Sequence, residues 1–138
     1  RGIPVIQVFH VEDQGHFSMQ SGNVRALSEL SINPQLVIHK RYHSAFAGTP
    51  LAARLTEMDV TTLIISGIRT EQCCETTTRQ ASDSGFKVDF VSEATLTFPM
   101  THLRSGREYT SAQIRERTEL VLEERFARIV TVEQALEG

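Results

Sequence analysis

The residues of this chain best suited to chemistry are two adjacent cysteines, Cys73 and Cys74, and a lysine, Lys40. Cys73 ends the segment Ile64-Ile65-Ser66-Gly67-Ile68-Arg69-Thr70-Glu71-Gln72-Cys73, which reads as a strand end, a turn and the opening of a helix. Unpaired amides and the helix dipole at such a position favour an anion. A free thiol titrates near about 8.5, and a helix start can bring a thiol down to roughly 3.5–7.5. The thiolate is the attacking species, and the same amides suit the oxyanion of a tetrahedral intermediate. Lys40 closes the run Leu36-Val37-Ile38-His39, and an ammonium near the thiol would act in the same direction. Each residue also has a plainer reading. A free cysteine is more often a small buried hydrophobe, and a lysine at a strand end is more often solvated. His10, His16, His39, His43 and His102 are scattered, and each alone reads as structural or surface.

Those positions depend on the elements around them. A β-rich run over 5–10 predicts a strand. A polar stretch over 11–34, broken by Gly15, Gly22, Asn33 and Pro34, predicts a long loop with a helical turn around 24–30. A second short strand covers 36–39. Helical spacing over 50–58 predicts a helix, with Thr49 as its cap and Pro50 as its first residue. The β-branched run 60–65 predicts a parallel strand buried on both faces. A turn over 67–72 then leads to a helix over 73–84, closed by Gly85. Further on come a strand over 87–91, a long loop over 92–110 and a helix over 111–125. That last helix has Ser111 at its cap and lacks the Glu or Gln three residues on that completes a capping box. A strand over 127–132 and a helical turn over 132–136 finish the chain. Strands alternating with helices imply an α/β fold, three-layer α-β-α with a mostly parallel sheet. In such sheets ligands bind beyond the carboxyl ends of the strands, which is where Lys40 and Cys73 fall.

The chain has 138 residues, 40% hydrophobic and 22% charged, with a formal net charge of −3. That suits one domain spanning 1–138 with a real core. No cluster of Lys and Arg marks a nucleic-acid or membrane surface, so a small-molecule partner is expected, with no nucleic acid and no membrane. The apolar runs fall far short of the roughly 20 residues of a membrane span. Neighbouring cysteines rarely bridge each other, and free thiols suggest a reducing, cytoplasmic setting. Neither G-x-G-x-x-G nor a P-loop is present, which disfavours nucleotide chemistry.

The segment 67–81, Gly-Ile-Arg-Thr-Glu-Gln-Cys-Cys-Glu-Thr-Thr-Thr-Arg-Gln-Ala, resembles the nucleophile motif of the isochorismatase-like cysteine hydrolases. That superfamily includes nicotinamidases and carbamoylsarcosine amidases. The upstream segment 40–51, Lys-Arg-Tyr-His-Ser-Ala-Phe-Ala-Gly-Thr-Pro-Leu, resembles the family's second block. Both blocks lie in the family's order, and the resemblance covers nearly the whole chain. It implies that Cys73 attacks a carbonyl carbon and that Lys40 stabilises the thiolate and helps position an acid-base carboxylate. It implies a cis peptide between Ile68 and Arg69, with the amides of Arg69 and Cys73 facing the oxyanion. It places Phe46 in the substrate pocket. Isochorismatase itself cleaves a vinyl ether without a nucleophilic cysteine, so the retained Cys73 and Lys40 imply the amidase-type branch. The reaction expected is hydrolysis of a small amide or carbamoyl C–N bond through a thioester on Cys73.

The chain also departs from the family pattern. The family's catalytic Asp ends its first strand, and no matching segment is found. This chain opens on Arg1-Gly2-Ile3-Pro4 without Met, and it is expected to lack that first strand and helix, a unit of roughly 30 residues. Asp13 follows the wrong strand and is not given the role. Arg69 stands where small residues are frequent; it either binds an anionic substrate as a carboxylate fork or points to solvent. The Asp-x-His metal motif of nicotinamidases is not seen between 10 and 16, so no catalytic metal and no other cofactor is expected. Cys74 is expected in the core as a small hydrophobe, the alternative being a resolving thiol for an oxidised Cys73. Two other functions stay open: a non-catalytic binding or assembly module of the same fold, and a redox-sensing cysteine protein. The loop carrying Phe98, Pro99, Met100, His102, Arg104 and Tyr109 resembles family segments that form pocket walls and subunit contacts, so a homo-oligomer is expected.

Overall fold

The computed structural model describes residues 2–137. The first two apolar runs form strands β1 (Ile6–His10) and β2 (Leu36–Lys40). They pair in parallel, in register from Ile6 opposite Leu36 to His10 opposite Lys40. The connection between them carries no helical turn at 24–30. Its one helical feature is a short 3₁₀ turn, Met19–Ser21. The Ser18 hydroxyl donates to the Gly15 carbonyl and the Ser21 hydroxyl to that of Ser18, local bonds that compete with a helix. Leu27 and Leu30 remain half exposed, so a helix there would have no apolar face to bury.

Helix α1 (Leu51–Glu57) follows, with the Thr49 hydroxyl accepting the Leu51 amide. Strand β3 (Thr62–Ile68) then pairs in parallel with β4 (Lys87–Leu96), which pairs in parallel with β7 (Arg128–Ile129). The expectation that this run is buried on both faces is overturned. Burial alternates along β3, with Ile64 40% and Ile68 45% exposed. The cause is the strand order. Among the described residues β3 pairs only with β4, and β1 only with β2. Both strands therefore keep an open edge, and both line the same groove.

The expected turn at 67–72 is also corrected, because β3 continues to Ile68. A bulge breaks the register between Ile65, opposite Phe90, and Gly67, opposite Thr95. Gly67 has φ 124°, a conformation that a side chain disfavours. The helix after it begins as a π-helical turn, Thr70–Cys74, and becomes α-helical as α2 (Glu75–Asp83).

Side chains alternate across a strand, and β4 uses both of its faces. Val88 and Phe90 belong to a core with Leu51 and Leu55 of α1, Ala81 of α2 and Leu122 of α3 (Ser111–Leu122). Val91 packs in a separate cluster with Val130 and with Ala135 of α4 (Val132–Glu137). Helices thus cover both sides of the parallel sheet β3-β4-β7, with β1-β2 as a separate parallel pair among the described residues, a three-layer α-β-α arrangement.

The stretch read as one loop over 92–110 contains the end of β4 and a small antiparallel hairpin, β5 (Met100–Thr101) and β6 (Glu108–Tyr109). Two-residue strands are too short to show a period-2 pattern. Helix α3 (Ser111–Leu122) is capped by Thr110, one residue before the expected cap. From Thr110 the third helical position is Gln113, and both bonds of a capping box are made. The helix stops at Leu122, whose carbonyl accepts the amides of Phe126 and Ala127. Glu124 just beyond sits at φ 60°, so the helix does not reach Arg125. No described helix is long and apolar enough to cross a membrane.

Phe90 is fully buried in the larger core. Its replacement by Ala is expected to lower stability by about 3–5 kcal/mol, read from urea unfolding. Thr110→Ala, which removes the capping box, is expected to cost about 1 kcal/mol. A loss below about 1 kcal/mol for Phe90→Ala would mean that the core centres elsewhere.

Candidate active site

The register of β1 on β2 brings two strand ends together, so His10 and Lys40 stand side by side. The Lys40 ammonium lies 3.2 Å from the Cys73 sulfur, 2.8 Å from the Tyr42 carbonyl and 3.3 Å from His10 Nδ1. Lys40 is only 5% exposed, and a buried ammonium is stable only when its donors are paired. His43 approaches from the loop after β2, its Nδ1 3.9 Å from the Cys73 sulfur. The rings of His10 and His43 stack at 6.5 Å, and Phe17 meets His10 edge-on at 5.9 Å. Burial, and then the charge of Lys40, push the His10 imidazole below its usual range.

The loop after Lys40 is fixed from behind. Ser44, Ala45 and Phe46 are buried. The Ala45 amide donates to the Thr77 hydroxyl of α2 at 3.0 Å, and the Phe46 amide to the Ser44 hydroxyl at 3.1 Å. Gly48, at φ 67°, passes so close to Tyr42 that an added Cβ would lie 3.3 Å from its ring.

Cys73 is held by a second set of bonds. The Arg69 carbonyl accepts the amides of both Gln72 and Cys74, which winds the π-helical turn. Thr70 is fully buried; its hydroxyl donates to that of Thr95 at 2.7 Å, which donates to the Ser92 carbonyl. The Thr97 hydroxyl donates to Glu71 at 2.6 Å. Glu75, buried at the start of α2, receives Arg79 at 3.2 Å, Arg117 at 2.6 Å and the Thr118 hydroxyl at 3.1 Å. A carboxylate in the first turn complements the helix dipole, and its partners join α2 to α3.

The structure therefore brings Cys73, Lys40 and Phe46 together. All three line a groove of about 250 Å³ with Val8, Gly67 and Ile68. The Ile68–Arg69 peptide is cis. Cys73 sits inside the π-helical turn and not in the first turn of a helix over 73–84, which corrects that boundary. The Arg69 guanidinium does not line the groove; its Nε lies 3.1 Å from Glu71, and its charge lies over the Phe98 ring at 5.5 Å. Asp13 is paired with Arg41. Cys74 is buried in the larger core, and burial, with the neighbouring Cys73 second, pushes its thiol up to about 12. Of the remaining histidines, His39 stacks on Phe9 and His102 accepts the Ser105 amide. Among the described residues no group of three or more His, Cys, Asp and Glu is placed to hold a metal ion.

Reading the sequence missed His10 and His43. The signal was positional: two parallel strands of equal length end together, so the last residue of the first meets Lys40, and His43 lies within the same block. A larger cavity, about 790 Å³, lies between the hairpin and α3 and is lined by Met100, Leu103, Arg107 and Tyr109. It contains neither Cys73 nor Lys40, which line the smaller groove.

Comparison with known proteins identifies the family and the fold. Residues 1–134 match the family model described as the Isochorismatase domain. The chain is 31% identical over 139 aligned residues to YrdC, an uncharacterized isochorismatase family protein of Bacillus subtilis (strain 168), covering 99% of this chain and 74% of that protein. It is 42% identical over 65 residues to Nicotinamidase 3 of Arabidopsis thaliana, which is 47% of this chain and 33% of that protein. Among solved structures it superposes on an isochorismatase-family protein from Chromobacterium violaceum ATCC 12472 with a TM-score of 0.90. The identity is 26%, covering 99% of this chain and 72% of the other.

The two thiols should differ sharply in access. Brief iodoacetamide treatment of the native protein at pH 7 is expected to modify Cys73 and leave Cys74 intact, with both modified in urea, as read by peptide mass spectrometry. Equal labelling in the native state would contradict the burial of Cys74.

Proposed function

The chain belongs to the isochorismatase family, and from that membership we propose that it is a cysteine hydrolase cleaving a small-molecule amide or carbamoyl C–N bond. The observation that carries this reading is the 3.2 Å contact between the Lys40 ammonium and the Cys73 sulfur, at the edge of a groove lined by Phe46. The cation stands where it can pair with the negative charge of a Cys73 thiolate. The thiolate attacks the carbonyl carbon, and a C–S bond forms as the carbonyl π electrons move to oxygen. The tetrahedral adduct collapses, the C–N bond breaks, and the amine leaves with a proton delivered by water or by the acid-base carboxylate that the family resemblance implies, which regains it when water cleaves the thioester. Water then hydrolyses the thioester, releasing the acid and restoring the thiolate.

The likeness of half the chain to a protein named as a nicotinamidase supports an amide substrate over an ether. The Glu71 and Phe98 contacts of Arg69 favour a role in holding the turn over capture of a substrate anion.

We also propose that copies of the chain associate through the hairpin side. Leu103 at the hairpin tip is 99% exposed, and Leu96 and Phe98, on the segment leading into the hairpin, are more than half exposed. Apolar side chains grouped in this way mark contact surfaces.

On a panel of primary amides and carbamoyl compounds, Cys73→Ala is expected to abolish any turnover the wild type shows. Lys40→Met is expected to lower kcat/KM by roughly 10²-fold or more. Intact-mass analysis of wild-type protein quenched during turnover should show the acyl adduct on Cys73. Hydrolysis by Cys73→Ala at the wild-type rate would refute the nucleophile. Light scattering is expected to show an oligomer that Leu103→Glu dissociates; a monomeric wild type would refute the association.

A further inference from the structure

We infer that Glu71 is a positioning residue for acyl transfer: bonded to the Thr97 hydroxyl, it fastens the π-helical turn to the end of β4 and so holds the amides of Arg69 and Cys73 where the carbonyl oxygen gains charge. The inference rests on the reading of Cys73 as the nucleophile and adds to it a residue that the family resemblance did not supply.

The oxyanion donors that the resemblance implies lie at positions 69 and 73, and Thr70, Glu71 and Gln72 stand between them. Their spacing and direction are therefore set within this one turn. The Arg69 carbonyl accepts the amides of Gln72 and Cys74, both at 3.2 Å, and the Thr70 carbonyl accepts that of Glu75. A π turn joined to an α-helix is a rare form that recurs at functional sites, and here side chains fasten it.

The turn is tied to β4 at two successive residues. The Thr70 hydroxyl donates to that of Thr95 at 2.7 Å, both residues being fully buried. The Thr97 hydroxyl, just beyond the strand, donates to Glu71 at 2.6 Å. A hydroxyl bond to a carboxylate is short and stronger than one between neutral groups. The Glu71 side chain is only 9% exposed, and a carboxylate so far from water needs partners. Its other oxygen lies 3.1 Å from Arg69 Nε, yet neither atom completes a hydrogen bond among the described residues. Arg69 thus balances the charge, while Thr97 makes the directed bond. Arg69 in turn lies over the ring of Phe98, the neighbour of Thr97, at 5.5 Å. Residues 69–71 and 97–98 are closed on each other by a hydrogen bond, an ion pair and a cation–π contact. Glu71 lines the cavity beside the hairpin and not the groove of Cys73 and Lys40. It therefore acts through the turn, and the Lys40 contact to the sulfur comes from β2 without passing through it.

The test compares two reagents on the full chain. With p-nitrophenyl acetate the thiolate attacks the acetyl carbon, a C–S bond forms and charge passes to the carbonyl oxygen. The C–O bond then breaks and p-nitrophenolate leaves with its electron pair, so no proton is required of the enzyme. With iodoacetamide the C–S bond forms as the C–I bond breaks, iodide leaves, and no oxygen gains charge. Both reactions are followed at pH 7, with the adduct located by peptide mass spectrometry. Glu71→Leu and Thr97→Val are each expected to slow acylation by roughly 10- to 100-fold while alkylation stays within about twofold of wild type. The double variant is expected to be no slower than the slower single one, because both remove the same bond. Thr97→Ser keeps the hydroxyl and is expected to recover most of the rate lost in Thr97→Val. The Thr97 variants carry the test if Glu71→Leu fails to fold by circular dichroism. The inference is overturned if the variants acylate like wild type, or if both reagents slow equally, which would mean that Cys73 itself had loosened. A Cys73→Ala protein that releases p-nitrophenolate as fast as wild type would instead overturn the nucleophile reading beneath it.

Discussion

The buried ammonium of Lys40 is the constraint around which this part of the molecule is arranged. Taking a charge out of water costs several kcal/mol unless other groups replace its hydration. Here three groups do so, and they come from three places: the end of β1, the loop after β2 and the π-helical turn after β3. A shift of any of these segments removes one of the partners that Lys40 has among the described residues. The same constraint that makes the ammonium costly to bury therefore ties the strand ends to the turn that carries Cys73.

Around that centre the fixing bonds are polar and local, while the support is apolar. Hydroxyl pairs do much of the fixing: Thr70 with Thr95, Thr97 with Glu71, and Thr77 with the Ala45 amide. Short side chains lose little freedom when ordered, which suits them to a site that must be rigid. Glu75 shows how a charge is tolerated in the second layer. It is buried, yet two arginines and a threonine surround it, so its removal from water is offset by charge-assisted bonds. Behind these bonds stands the core around Phe90, Leu55 and Leu122.

Much of the fold could be read from the residues because the long elements carry strong local patterns. The β-branched runs at 5–10 and 60–65 gave strands, and Thr49-Pro50 gave the start of a helix. The failures have physical causes. The hairpin strands at 100–101 and 108–109 are too short to display a period. The cap of α3 was placed at Ser111 because Ser is a good cap, although Thr110 also is and has Gln113 at the reciprocal position. Ile64 and Ile68 looked like interior residues because composition does not reveal how many neighbours a strand has. At the site, Cys73, Lys40 and Phe46 were legible as sequence blocks. His10 was not, since its meaning depends on which residue lies opposite it, and pairing between strands 30 positions apart leaves no mark in either segment.

That pairing has a further consequence. Successive residues of a strand face opposite sides, so a slip of one position moves a whole row of side chains to the wrong face. If β1 moved by a single residue against β2, Phe9 or Val11 would stand beside Lys40 in place of His10. Either is apolar, and the slipped strand could still make backbone hydrogen bonds to β2. It would, however, offer the ammonium a hydrocarbon where it needs a lone pair. Strand alignment is thus checked by electrostatics as well as by packing: the burial of Lys40 adds a second penalty against a misthreaded sheet.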